Sequence, residues 1–374
     1  MGEDHMAKKT KPQNWDSPAL ALSGGGFRAT LYHCGALMRL NELGYLTKIT
    51  RFSSVSGGSI TSGMLAAAWS RLKVENGIVT NLDAEVIAPL RAFCRRSIDT
   101  TSVAWGSVLP GKSIGDVLAD AYDDMFKKMT LQDLPDSPQF VFDATNLQTG
   151  RLVRLMKKRL ADFTIGEIPN PKVRVAVAVA ASSAFPPVLS PVDIKVDPKS
   201  WVKLDGAIHH GDPAYTRTLS LTDGGAYDNL GLEPINDFST VIVSDAGAPF
   251  GTEETASTLW PQQAMRALDI ATDQARALRK RLLFAQCTAE NRLAVYSGID
   301  SNPADYPAAQ TLRSDLAFTT KLARMRTRLD PFSDQEQGHL INWGWLMMDV
   351  AMRSYVTKQV PPPSKLPLPK YPLD

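Results

Sequence analysis

Along the first part of the chain, short unbroken apolar runs give way to apolar residues spaced three and four apart. "PALALSGGG" (residues 18–26) is such a run, a short buried strand closing in a glycine turn. Over residues 28–43, Leu31, Cys34, Leu37, Met38, Leu40 and Leu43 recur mostly at helical steps, which predicts an amphipathic helix with Gly44 as its C-cap. "KITRFSSVSGGS" predicts a second strand and a second glycine turn, and the alanine-rich residues 59–72 a second helix. Strand, helix, strand, helix is the order of a parallel sheet with helices on its faces.

Farther on, the pattern is less even. Residues 74–137 read as helical covering over the sheet, with "LADAYDDMFKKM" the clearest helix. "QFVFDATNLQTGRLVRL" predicts two strands about a turn at Thr149 and Gly150. "KVRVAVAVAASSAFPPVLSPV" is rich in small residues, and Pro186 and Pro187 end whatever precedes them. "TLSLTDGG" predicts a strand running into a glycine turn, and "STVIVSDAG" a buried strand of the parallel kind. Residues 262–284 and 339–356 predict long helices. In the first of these, Met265, Leu268, Ala271, Ala275, Leu278 and Leu282 form a stripe expected to face the core.

The expected fold class is therefore α/β, a three-layer sandwich with a mainly parallel central sheet and helical C-terminal additions. Residues 1–17 form an N-terminal arm, whose Met1 to His5, ahead of a second methionine at Met6, read as a non-native leader. Residues 18–250 make the main domain, 251–360 a helical part of the same domain, and 361–374 a proline-rich tail expected to lie extended over the surface.

Composition removes several function classes. The 374 residues are 44% hydrophobic and 21% charged, ordinary for a globular protein, and the net charge of +2 sets up no global field for nucleic acid. Five histidines include no HExxH and no Cys/His cluster, so no metal site is expected. Cys34, Cys94 and Cys287 are odd in number and widely spaced, which suits free thiols in a reducing compartment. No apolar run is long enough to span a membrane, and the start of the chain lacks a signal-peptide core. The expected setting is the cytoplasm, with peripheral contact at a membrane surface.

Three glycine turns carry the candidate chemistry. The first, Gly24, Gly25 and Gly26, stands between a strand and a helix, where backbone N–H groups hold an anion. With Ala29 it satisfies G-x-G-x-x-G/A, so a nucleotide-binding protein is one reading. The next strand, however, lacks the carboxylate that would bind a ribose, and no Gly-Lys-Ser/Thr follows. In the second turn, "SSVSGGS", Ser56 sits where a nucleophile elbow places its serine, with small residues two before and two after it, Ser54 and Gly58. Ser54 stands where the usual pattern has glycine. No histidine is in an obvious partner context: His33 is mid-helix, and His209 and His210 lie in a polar loop. The third turn offers a carboxylate instead. Asp223, at a strand end before Gly224 and Gly225, can accept the serine proton directly if burial raises its pKa.

In this order and spacing, "GGGFR" (24–28), "SVSGG" and "DGG" (223–225) resemble the motifs of the patatin-like phospholipase family, as do "ATNLQTGR" (144–151) and "ASSAFPPVLSPV" (181–192). The resemblance covers residues 20–246, and nothing after 250 matches a motif. It implies a cofactor-free lipid acyl hydrolase, of phospholipase A or lysophospholipase type, with a Ser56–Asp223 dyad. Gly24–Gly26 and Arg28 then surround the oxyanion, and Ser54, Gly58, Gly224 and Gly225 shape the turns. The implied partner is a phospholipid or other acyl-ester lipid; oligomeric state is left open. The same dyad would serve an acyltransferase or thioesterase. Asp205, in "KLDGAIHHG", also fits the D-G-G/A pattern, but "DGGAYDNLGLEP" continues as family members do, so Asp223 is preferred. Arg28, a cation in a first helical turn, is expected to face the oxyanion or a lipid phosphate. Arg276, Arg279, Lys280 and Arg281 read as solvated charge near a helix end, and Trp343 and Trp345 as core or lid aromatics.

Overall fold

The apolar runs of the sequence pair side by side into one ten-stranded sheet. In this computed structural model, residues 15–98, 113–187, 189–289 and 292–374 are described; the leader Met1 to His5 and most of the N-terminal arm lie outside them. The strands are β1 (Ala19–Leu22), β2 (Arg51–Val55), β3 (Gln139–Asn146), β4 (Arg151–Met156), β5 (Arg159–Asp162), β6 (Gly166–Pro169), β7 (Val192–Lys195), β8 (Thr218–Asp223), β9 (Thr240–Asp245) and β10 (Leu293–Gly298). Helices of eight residues or more are α1 (Gly26–Glu42), α2 (Gly57–Ala68), α3 (Ile114–Phe126), α4 (Val175–Ser183), α5 (Trp260–Thr288), α6 (Leu316–Ala323) and α7 (Asp334–Tyr355).

Strands β10-β9-β1-β2-β3 are parallel, and β3 to β6 continue the sheet as an antiparallel meander. The one irregular join brings two turns of the chain together. β2 runs parallel to β3 and stops with Val55 opposite Asp143. β8 runs antiparallel along the same edge of β3 and stops with Asp223 opposite Ala144. Two strands thus meet head to head on consecutive residues of β3, so the residues at their ends face each other.

Both faces of the sheet are covered. Leu20, Leu22 and Ile242 enter the large core with α1, α2 and α7, while Ala19, Ala21, Val241 and Val243 pack on the other side with Leu283 of α5. The α1–α7 crossing is close because it is built on glycine: a Cβ on Gly35 would lie 1.9 Å from the Ile341 carbonyl oxygen. Trp343 and Trp345 of α7 are core residues, with indole N–H groups on the Ile299 carbonyl and the Glu42 carboxylate.

Two expectations are corrected. The stripe of α5 does not face the core. Leu278 and Leu282 are each 59% exposed, and the helix buries Arg276 and Leu283 instead. A three- or four-residue apolar period marks a face without saying what covers it. The proline-rich tail is docked and folds through a turn at Leu368 to Tyr371 rather than lying extended over the surface. Leu373 is fully buried and its carbonyl takes the Asp315 N–H at 2.7 Å, while the Asn342 amide donates to the Leu368 and Tyr371 carbonyls.

Candidate active site

Ser56 sits between β2 and α2 with φ 52° and ψ −120°, a left-handed conformation that non-glycine residues adopt only when their surroundings impose it. Here Ser182 imposes it: its hydroxyl and carbonyl oxygens both accept the Ser56 N–H, at 3.1 and 3.2 Å. The hydroxyls behind the elbow form a chain. Ser59 donates to Ser54, Ser54 lies 2.6 Å from the Ser62 hydroxyl and donates to the Val141 carbonyl, and Ser182 donates to the Asp143 carbonyl. Ser54 is thus a buried tether, a use that glycine at this position could not serve. A Cβ on Gly58 would lie 2.3 Å from the Leu22 carbonyl oxygen, so α2 can cross β1 only with glycine there.

Asp223 ends β8 almost wholly buried, close enough to Ser56 for the serine hydroxyl to favour its charged form. Oδ1 also accepts the Gly225 N–H at 2.7 Å. Burial pushes its pKa up to about 6, against the pull of the Gly225 N–H and the Ser56 hydroxyl. Asp205 lies instead in an exposed turn. His33 is buried on the Ser23 carbonyl (2.9 Å) and the Ser244 hydroxyl (2.8 Å), and burial lowers its pKa to about 4. His209 stacks on Tyr215.

The glycine loop lies against the elbow. A Cβ on Gly24 would meet the Asn229 Oδ1 at 2.3 Å and the Ser56 Cβ at 3.2 Å. Gly25 and Gly26 have φ of 142° and 58°, and a Cβ on Gly26 would lie 1.6 Å from the Thr327 carbonyl oxygen. The N–H of Gly24 is spent on the Asn229 carbonyl. Those of Gly25, Gly26 and Gly57, at the N-termini of α1 and α2, meet no acceptor among the described residues.

Arg28 is fully buried, and its guanidinium donates to the carbonyls of Ala246, Ala323 and Met325. Burial and the nearby Arg276 charge lower its pKa to about 10, with Asp245 and Asp300 opposing. It ties the end of β9 and the chain after α6 to the glycine loop. Arg276 and Arg279 are likewise engaged, on Asp245 and on Asp228 and Glu233. Neither is the solvated charge expected from the sequence. Among the described residues no cluster of His, Cys, Asp or Glu could hold a metal.

Three contributors escape the sequence. Gly57 follows Ser56, and its free N–H is a signal that the elbow pattern itself carries. Ser182 and Asn229 lie in segments that resemble the family, but nothing local marks what they touch: Ser182 holds the distant elbow, and Asn229 lies against distant Gly24 as well as neighbouring Gly225.

With this geometry in hand, comparison with known proteins is direct. The family model for patatin-like phospholipase matches residues 20–235, more than half of the chain. The chain belongs to the patatin-like phospholipase family. Its fold is shared with human GIVD cytosolic phospholipase A2, at TM-score 0.55 and 13% identity over 91% of this chain. The same human enzyme with methyl gamma-linolenyl fluorophosphonate bound aligns at TM-score 0.51 and 16% identity over 90% of this chain. This patatin-like chain spans 58% and 57% of those two chains. No curated protein sequence matches. No helix among the described residues is long and apolar enough to cross a membrane.

Proposed function

We propose that this patatin-like protein is a lipid acyl hydrolase that cleaves fatty acyl esters through a Ser56–Asp223 dyad. The observation that carries the reading is the meeting of two strand ends that brings a serine held at positive φ beside a buried carboxyl whose pKa is raised to about 6. Such a carboxyl is ionised near neutral pH yet takes up a proton more readily than an ordinary aspartate. As the Ser56 oxygen attacks the ester carbonyl, Asp223 accepts its proton. The tetrahedral oxyanion collapses to an acyl-enzyme, and the alcohol leaves with the proton from Asp223. Water then gives up a proton to Asp223 and attacks the acyl-enzyme, and the intermediate collapses to free the fatty acid while the Ser56 oxygen takes the proton back from Asp223.

The N–H groups of Gly25, Gly26 and Gly57 serve the oxyanion, each at a helix N-terminus where negative charge is favoured. One such donor is typically worth about 10²–10³ in rate. Gly24, Gly224 and Gly225 let the three turns approach, and Arg28 acts as a positioning residue that holds the glycine loop. The substrate class is a phospholipid or other acyl-ester lipid, met at a membrane surface from the cytoplasmic side, and the cycle uses no cofactor.

The test is a panel of phospholipids, lysophospholipids and neutral acyl esters incubated with wild-type and Ser56→Ala protein, with products identified by mass. Fatty acid release by the wild type alone is expected, with a fluorophosphonate adduct on Ser56. Release by both proteins, or an adduct on Ser53, Ser54 or Ser59, would overturn the assignment.

A further inference from the structure

Among the described residues, α5 leaves a series of large apolar side chains uncovered. Trp260 is 78% exposed and Leu278 and Leu282 are each 59% exposed, with Leu259, Ile270 and Phe284 also open to solvent. The helix meets the body through Arg276, on Asp245 at the end of β9, and through Leu283 in the core under β1 and β9. Residues 260–275 contain no buried side chain and precede the Arg276 anchor at the end of β9. Patches of this kind mark interaction surfaces.

Spacing along the uncovered face identifies what fits it. Trp260, Ala264, Ala267, Ala271, Ala275, Leu278 and Leu282 follow one another at steps of four, three, four, four, three and four. The series is a doubled eleven-residue repeat, which keeps a seam straight along a helix. It also reads the same in both directions about Ala271. In an antiparallel pair related by a two-fold axis, Trp260 faces Leu282 of the other copy, Ala264 faces Leu278, Ala267 faces Ala275 and Ala271 faces itself. Large side chains then oppose each other at the ends, large opposes small between, and alanines at the centre permit close approach. No charged residue lies on the seam, so two copies bring no like charges together.

We propose that this protein self-associates through α5 as an antiparallel two-fold helix pair. A lipid surface fits the same face less well. Four of the seven seam residues are alanine, and most basic side chains of the helix are engaged by the body: Arg266 by Glu253, Arg276 by Asp245, Arg279 by Asp228 and Glu233, and Lys280 over the Tyr296 ring, with Arg281 exposed. Pairing over residues 260–282 runs ~33 Å and covers on the order of 400 Å² per protomer. That is roughly half of what each partner contributes to a stable interface, so the dimer is weak and reversible. The proposal does not rest on the hydrolase reading.

Sedimentation across a wide concentration range should take the wild type from monomer to dimer, while Leu278→Glu stays monomeric. Register is tested by cross-linking in a Cys287→Ser background. Ala271→Cys should form a disulfide-linked dimer under mild oxidation. Ala264→Cys should not link to itself but should link to Leu278→Cys in a mixture of the two. A monomer at every concentration without Ala271→Cys cross-linking overturns the proposal, as does Ala264→Cys linking to itself equally well. Flotation with neutral and anionic vesicles runs alongside. A monomeric chain that binds vesicles and loses them on Leu278→Glu overturns it in favour of a lipid surface.

Discussion

The turns around Ser56 and the helix α5 carry equally regular sequence signals and end in opposite surroundings. At the turns, each glycine or serine is fixed by an atom that would collide with anything larger or by a partner for its hydroxyl. Along α5, the apolar period is as clear as in α1, yet α1 buries nearly all its residues and α5 buries two. A turn's residue types follow from the few atoms it touches, however far away in the chain those atoms lie. A helix's apolar stripe is equally compatible with a core, a partner or a second copy.

The largest expected effect falls on the first of these regions. Asp223→Asn keeps the shape and the Gly225 contact but cannot accept a proton. Turnover should fall by about 10²–10⁴, since no histidine bonds Ser56 as an alternative base. Initial rates on a soluble acyl ester would measure this, with a circular dichroism spectrum to confirm the fold. A variant that kept a tenth of wild-type activity would remove Asp223 from the chemistry.

A comparable test strikes α5 where it is attached. Arg276→Met leaves the wholly buried Asp245 carboxylate with the Tyr296 hydroxyl and the Gly247 N–H as its remaining partners. Breaking a buried pair typically costs about 3–5 kcal/mol, which denaturant unfolding at pH 7 would read. Although burial alone would raise the Asp245 pKa, Arg276, Tyr296 and Gly247 bring it below the ordinary value. The contribution is therefore present above the unfolded pKa and lost as pH falls through the folded one, so the difference between the two proteins should narrow in acid. An unchanged midpoint would mean that α5 is held by Leu283 and its neighbours rather than by the ion pair.

How much was legible in the sequence follows the same division. The parallel strands, the elbow at Ser56 and the turn at Asp223 are visible because local sterics restrict the residue types there. The head-to-head meeting of β2 and β8 on β3 is not, because it depends on a pairing between residues 143–144 and two distant strands. Nor is the role of Arg28. A cation in a first helical turn signals an anion nearby, but three carbonyl oxygens from remote segments supply the negative potential instead. The docked tail is hidden for a related reason. Its prolines predict an extended chain, whereas the tail bends through a turn at Leu368 to Tyr371 and is held by Asn342 and the burial of Leu373.

Smaller in size, and opposite in sign from acid loss, is the pH response of Asp223 itself. Its folded pKa of about 6 lies above the ordinary value of 3.8, so its stabilising contribution is complete below 3.8 and lost as pH rises through 6. Activity should run the other way, with kcat/KM rising through about pH 6 as the base ionises. Asp223→Asn, which never ionises, should therefore melt above wild type at pH 8 and close to it near pH 4. A Tm difference that did not depend on pH would separate the variant's effect from the charge.

The smallest effect is expected at Asp205, the other aspartate before a glycine turn. It is exposed, its turn follows Trp201 rather than ending β8, and it has no place beside Ser56. Asp205→Asn removes one solvated charge, so the activity change should stay under roughly tenfold, or about 1.4 kcal/mol in the barrier. Stability should move by less than about 0.5 kcal/mol, as for most surface substitutions. Measured beside Asp223→Asn on one soluble ester, this variant shows whether the D-G pattern or the strand end carries the chemistry. Both sites share the dipeptide, and only Asp223 stands where β8 meets β2. Loss of turnover in a folded Asp205→Asn protein, with Asp223→Asn still active, would place the base on the wrong side of that junction.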